Sequence, residues 1–135
     1  MAQLDIHVGD KVKSLDATGC EIIGSLEQMG EEYYIGQTAS IYENNTYLGF
    51  KTIHYKVFRN RCAKWLAQLQ DGNDIFHGDI FSTYDGIKFC IYYIDETMSV
   101  VYTPITADDL PSNINIYECY YVGNMIIDDK LEWES

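Results

Sequence analysis

Two related hexapeptides, DIHVGD at residues 5–10 and DIFHGD at residues 74–79, lie 69 residues apart in this chain. Carried forward without a gap, the same offset gives ten identities in about 60 aligned pairs and keeps many apolar residues opposite one another. This pattern predicts an internal duplication. The first unit covers residues 1–71 and the second residues 72–135, and two units this small are expected to pack as one compact body.

Each hexapeptide ends in a Gly-Asp pair that suits the entry to a strand. Glycine supplies a permissive backbone there, and the aspartate carboxylate can accept a hydrogen bond from a nearby backbone N–H. We therefore expect a structural role for Asp10 and Asp79 and not a catalytic one.

Short β-branched and aromatic runs fill both halves, separated by Gly, Asn and Asp clusters that are typical of turns. Their spacing of about 10 to 12 residues is typical of a small barrel or sandwich. We predict an all-β protein made of two tandem, SH3-like barrel units. The predicted strands cover residues 11–15, 20–26, 32–41, 47–58, 79–83, 88–94, 98–103 and 114–122.

The segment over residues 58–70 departs from this β pattern. Its large apolar residues recur at three- and four-residue spacings, which would line one face of a helix. Asn60 suits the N-cap, and Gly72 follows as a stop signal. We predict a short helix that connects the two units. The apolar residues of its face are Phe58, Cys62, Trp65, Leu66 and Leu69.

The chain carries 21 acidic against 9 basic side chains, a net charge of −12. Nucleic-acid binding needs a cationic footprint, so direct contact with nucleic acid is disfavoured. Residues 65–135 hold 13 acidic residues against Lys88 and Lys130, a net charge of −11. This charge predicts a partner protein with a basic surface, with solubility as the competing explanation. The basic residues within 51–64 leave homo-oligomerisation through the acidic half open.

Several classes of protein are disfavoured by the absence of their sequence signals. No stretch approaches the 18 apolar residues of a membrane span, and no export signal is present, so we expect a cytoplasmic protein. The cysteines lack paired spacing and companion histidines, which favours buried free thiols. His77 with Asp79 supplies only two metal ligands, and no catalytic motif is found. We predict a non-enzymatic protein without metal or cofactor. The cysteines are Cys20, Cys62, Cys90 and Cys119.

Tyrosine is abundant, with 12 residues, and adjacent tyrosines place one ring on each face of a strand. Rings displayed among carboxylates suit a protein interface, whereas rings stacked across strands only stabilise the sheet. The candidate protein-binding residues are Tyr92, Asp95, Glu96, Asp108, Asp109, Tyr117 and Glu118.

The alternative function is binding or sequestering of a small, nucleotide-like ligand in a pocket between the two units. Arginine and aromatic side chains would suit an anionic aromatic ligand. The candidate residues are Tyr55, Arg59, Arg61 and Trp65.

Two segments of the second half resemble YopX-type phage and prophage proteins. Residues 69–81, LQDGNDIFHGDIF, look like that family's NG-x-x-I-[YF]-x-GDIV stretch, and residues 121–132, YVGNMIIDDKLE, are similar to its closing VIGNIYxNPELL. The Asp-Gly-Asn order departs from the usual turn, and the first half lacks the family's basic aromatic opening. The resemblance implies an all-β phage or mobile-element protein of unassigned biochemical role, and it transfers no catalytic residue.

These observations together predict an accessory protein of a phage or mobile element. It would bind a host protein through its acidic, tyrosine-rich surface, with a nucleic-acid-binding or defence enzyme as the natural target of inhibition.

Overall fold

The computed structural model of the chain describes residues 5–94, 100–105 and 115–127. Within these residues the chain forms strands and two short 3₁₀ turns, Arg59–Arg61 and Ile116–Glu118. The strands are β1 (Lys11–Leu15), β2 (Glu21–Met29), β3 (Glu32–Glu43), β4 (Thr46–Val57), β5 (Ala63–Gln68), β6 (Asp74–Phe76), β7 (Asp79–Ser82), β8 (Lys88–Ile94), β9 (Val100–Pro104) and β10 (Tyr120–Asn124).

These strands form two antiparallel sheets, so the prediction of an all-β protein is confirmed. The first sheet has the order β4-β3-β2-β1-β5-β6, and the second has the order β10-β7-β8-β9. Neither sheet closes into a barrel among the described residues, so the prediction of SH3-like barrels is not confirmed. Residues 74–76, which the sequence placed in the second unit, contribute β6 to the first sheet.

The strand order explains why the halves do not have the same architecture. In both halves three consecutive strands form an antiparallel meander, β1-β2-β3 and β7-β8-β9. The fourth strand then differs, because β4 pairs with β3 whereas β10 pairs with β7. The structure therefore does not confirm the predicted duplication.

The predicted helix over residues 58–70 is wrong. Residues 59–61 make one 3₁₀ turn, and the chain then runs as β5 between β1 and β6. A single helix of this length is marginal in water, whereas a strand here pairs with the open edge of β1. Gly72, with φ +92°, lies in the β5–β6 turn instead of ending a helix.

Three apolar clusters fill the interior. The first covers one face of the first sheet around Val12, Leu26 and Ile35. The second lies on the second sheet around Phe81 and Phe89, and Leu66 and Leu69 pack against it. The third joins the two sheets and consists of Ala63, Phe76 and Ile127, with Leu15 and Ile126 against them.

The two Gly-Asp turns have the same local hydrogen bond. The carboxylate of Asp10 accepts the backbone N–H of His7 at 2.9 Å, and that of Asp79 accepts the N–H of Phe76 at 2.8 Å. The preceding Gly9 and Gly78 have φ of +98° and +86°, which glycine adopts without strain. The predicted structural role of both aspartates is confirmed.

Candidate functional site

A buried ion pair joins the two sheets. Lys13 on β1 extends toward β7, and its Nζ lies 3.1 Å from Oδ1 of Asp79. Both side chains are almost completely buried. The same Nζ donates to the Tyr121 hydroxyl at 3.2 Å and lies 3.3 Å from a carboxylate oxygen of Glu21. Each of the three N–H donors of the ammonium group therefore has an oxygen within reach.

Three donors converge on the Asp79 carboxylate. Besides Lys13 and the Phe76 N–H, the side-chain amide of Asn124 donates to it at 2.8 Å and also to the His77 carbonyl at 3.0 Å. Burial raises the pKa of Asp79, while Lys13 and the other donors favour its charged form. Such a convergence of donors is what a carboxylate requires when it is buried.

Aromatic rings enclose the Lys13 ammonium. Its Nζ lies 4.7 Å from the ring centroid of Phe76 and 4.5 Å from that of Tyr121. The Tyr121 hydroxyl donates to Glu21 at 2.7 Å. Burial, followed by the carboxylates of Glu21 and Asp79, raises the pKa of Tyr121, which keeps the phenol neutral. This cluster is a structural connection between β1, β2, β7 and β10.

His77 lies at the same junction. Its side chain is buried, and neither ring nitrogen has a hydrogen-bond partner among the described residues. The ring packs edge-on against Tyr92 with centroids 5.9 Å apart. Burial lowers the pKa of His77, so the ring is neutral at neutral pH.

A cavity of about 450 Å³ opens between the two halves beside this cluster. Lys13 and Tyr121 line one side of it, and Asp71 and Asp74 contribute carboxylates. The apolar part of the lining comes from Leu69, Ile75, Phe76, Phe81 and Ile116.

The four residues predicted to bind a nucleotide-like ligand do not meet in this cavity. Arg59 donates to the Ile6 carbonyl at 2.6 Å and lines a separate cavity of about 570 Å³ near Glu31. Tyr55 packs against the core of the first sheet. Arg61 is half-buried in the 3₁₀ turn, and the Trp65 indole donates to Asp74 at 2.9 Å.

The predicted protein-binding residues are described only in part. Tyr92 and Tyr117 are exposed, although the Tyr117 hydroxyl also accepts the backbone N–H of Gln70 at 3.0 Å. Glu118 is exposed in the same 3₁₀ turn as Tyr117. The remaining candidates lie outside the described residues: Asp95, Glu96, Asp108 and Asp109.

The structure adds two neighbours to this surface that the sequence did not single out. Tyr120 and Val122 on β10 are both exposed, with Tyr120 at 61%. The adjacent Tyr120 and Tyr121 are the sequence feature that could have predicted this exposure, because adjacent residues of a strand point to opposite faces. Tyr117, Glu118, Tyr120 and Val122 are referred to below as the β10 strip.

The prediction that the four cysteines are buried holds for Cys62 and Cys90, whereas Cys119 is half-buried and Cys20 is exposed. Burial raises the pKa of Cys62 to about 11 and that of Cys90 to about 12. Cys20 is exposed because it lies at the turn before β2. Within residues 5–94, 100–105 and 115–127, no group of three or more His, Cys, Asp or Glu side chains converges as a metal site would require.

The described part of the chain has no helix that is long and apolar enough to span a membrane. Comparisons with protein-family models, with curated proteins and with solved structures find no match to this chain.

Proposed function

We propose that this chain is a non-enzymatic binding protein that contacts a basic surface of a partner protein through the β10 strip. The observation that carries the proposal is the exposure of Tyr117, Tyr120 and Val122 beside Glu118. Rigid rings offer contact area at low entropic cost, and neighbouring carboxylates attract a cationic surface. The half of the chain that contains the strip has a net charge of −11, which favours a basic partner.

The position of β10 in its sheet supports this proposal. The order β10-β7-β8-β9 leaves one side of β10 without a described neighbouring strand. An open edge can accept an extended segment of a partner through backbone hydrogen bonds. The strip would then supply specificity through its side chains.

The resemblance of residues 69–81 and 121–132 to YopX-type proteins supports an origin in a phage or mobile element. The partner would then be a host protein in the cytoplasm. A nucleic-acid-binding or defence enzyme has the kind of basic surface that an acidic protein can occupy and inhibit. The matching Gly-Asp turns and three-strand meanders support a duplication origin of the two halves.

The proposal is tested by capturing host proteins on the immobilised full chain at low salt and eluting them at high salt. The double variant Tyr120→Ser with Val122→Ser should no longer capture the partner, because the strip loses two exposed apolar side chains. Phe58→Ser is the control, since Phe58 is 69% exposed and directly follows β4, which belongs to the other sheet. Equal capture by all variants, or capture that salt does not weaken, would contradict the proposal.

Binding of a small ligand in the inter-sheet cavity is a second candidate function. The cavity volume of about 450 Å³ suits a small aromatic molecule. Lys13 is paired with Asp79 and Asp74 with Lys11, whereas Asp71 adds a further carboxylate to the lining, so a neutral or cationic ligand is favoured over a nucleotide. Aromatic amines should raise the melting temperature and nucleotides should not, as measured by thermal shift. A panel with no effect would count against this function.

A further inference from the structure

The hairpin of β3 and β4 extends well beyond the rest of the first sheet. β2 pairs with β3 only from Glu32 to Gly36, whereas β3 and β4 remain paired to the turn at Asn44 and Asn45. Residues 37–53 therefore form a two-stranded ribbon, referred to below as the β3–β4 arm. Seven residues of extended chain, 37–43, separate Gly36 from the turn, a length of about 25 Å.

The end of the arm carries large apolar side chains that face solvent. Tyr42 is 64%, Tyr47 55% and Phe50 69% exposed. Tyr42 lies opposite Tyr47, and Phe50 lies opposite Ser40. Ser40 and Tyr42 are two residues apart on β3 and therefore point to the same face, so the three rings share that face. The rings of Tyr42 and Tyr47 lie 5.6 Å apart. Leu48, also exposed, occupies the bulge beside them.

The arm is neutral although the chain is strongly acidic. Its two charged residues, Glu43 and Lys51, cancel, whereas the whole chain has a net charge of −12. The aromatic rings lie opposite Ser40 and Tyr42 or on Tyr42 itself, about 13 to 20 Å along the arm from Gly36, and charges are screened within about 8 Å at physiological salt. Two copies can therefore bring their arms together while their acidic bodies stay apart.

We propose that the aromatic face of the β3–β4 arm binds the same face of a second copy, giving a two-fold symmetric dimer. A self-complementary patch is what such symmetry requires. The four exposed apolar side chains would remove about 400 Å² per copy, or about 800 Å² in total, from water. That area is below the roughly 1,200 Å² of specific, stable interfaces and in the range of transient contacts, so the dimer is weak and reversible.

Sedimentation velocity of the full chain, over roughly 1 to 500 μM protein, tests the proposal in the range expected for a weak complex. The mass should rise from 15.5 kDa toward twice that value as concentration increases. Tyr47→Ser with Phe50→Ser should weaken the dimer at least tenfold. The matched control, Phe58→Ser with Tyr84→Ser, also removes one exposed Phe and one exposed Tyr, but outside the arm.

Salt distinguishes this contact from the one proposed for the β10 strip. The arms are neutral and keep the acidic bodies apart, so 0.5 M NaCl should leave the dimer intact, whereas it should weaken binding of a basic partner. A monomer at every concentration would overturn the proposal. A dimer that the arm variant retains would also overturn it. The same holds if the wild type stays monomeric and its arm instead captures a different protein that the arm variant does not capture.

Discussion

The Lys13–Asp79 pair links two sheets through residues 66 positions apart in the chain. A buried ion pair costs desolvation energy, and removing one partner leaves the other charge uncompensated. Asp10 makes the corresponding turn hydrogen bond near the surface. Comparing substitutions of Asp10 and Asp79 therefore distinguishes the stability that comes from the turn hydrogen bond from the stability that comes from the buried ion pair.

We expect Asp79→Asn to lower the free energy of unfolding by about 3 kcal/mol, because Lys13 loses its buried counter-charge. Asp10→Asn should cost only about 1 kcal/mol, since one turn hydrogen bond to a partly exposed carboxylate is weakened. Urea denaturation of the two variants measures the difference. Equal losses would mean that the turn, and not the ion pair, accounts for the role of Asp79.

His77 should make stability depend on pH in mildly acidic solution. Burial lowers its pKa from the ordinary 6.5, so the unfolded chain takes up a proton before the folded one does. Stability is therefore fully present above pH 6.5 and falls as the pH drops from there toward the lower folded-state pKa. The raised pKa of Asp79 acts in the opposite direction, because the folded chain takes up that proton before the unfolded chain does as the pH falls toward the ordinary 3.8.

His77→Phe should reduce this dependence, because phenylalanine keeps an edge contact with Tyr92 and takes up no proton. The urea midpoints of wild type and variant at pH 7 and pH 5.5 provide the test. An equal fall in both midpoints would show that other groups dominate acid sensitivity in this range.

At the scale of the element, β2 depends on a glycine to pass close to β3. A β-carbon on Gly24 would clash with the Gly36 carbonyl oxygen and would lie 2.7 Å from Cγ2 of Ile35. Both neighbours belong to the paired backbone or the core, so neither can move cheaply. This close approach lies where β3 ends its pairing with β2 and continues as the arm.

Gly24→Ala is expected to lower the free energy of unfolding by about 2 kcal/mol through overpacking. Gly36→Ala is the matched control, because its β-carbon would meet only the flexible Glu27 carboxylate at 3.0 Å. Chemical denaturation should therefore find a smaller loss for the control. If both variants lost the same free energy of unfolding, the effect would come from replacing any glycine in these strands and not from the close approach at Gly24.

At the scale of the whole molecule, the two sheets depend on each other. β6 is contributed to the first sheet by residues that follow the predicted unit boundary at 71, and Leu66 and Leu69 pack on the second core. The Ala63, Phe76 and Ile127 cluster and the Lys13–Asp79 pair also span the sheets. Dividing the chain between residues 71 and 72 would break all of these contacts.

A fragment of residues 72–135 should therefore be unfolded in isolation. It would lose the Lys13 partner of Asp79 and the strand that pairs with β6. Its amide NMR spectrum should lack the dispersion of the full chain, which serves as the control. A dispersed spectrum with cooperative unfolding would mean that the second sheet folds independently.

Much of the fold follows from local sequence. The alternation of apolar residues and the turn clusters predicted the positions of β1 to β4 and of β7 to β9, and they predicted part of β10. The Gly-Asp pairs predicted the turn hydrogen bonds of Asp10 and Asp79. Each of these features depends on neighbouring residues, so the physical cause is visible in a short window of sequence.

Other features of the fold depend on contacts between residues that are far apart in sequence, and no short window of sequence contains both partners. Helical spacing over residues 58–70 was overridden because the edge of β1 offered β5 a paired backbone. The strand order within each sheet, the burial of Lys13 against Asp79 and the length of the arm beyond β2 all depend on which strands meet. Periodicity reports which side chains share a face, whereas pairing between strands distant in sequence determines what that face contacts.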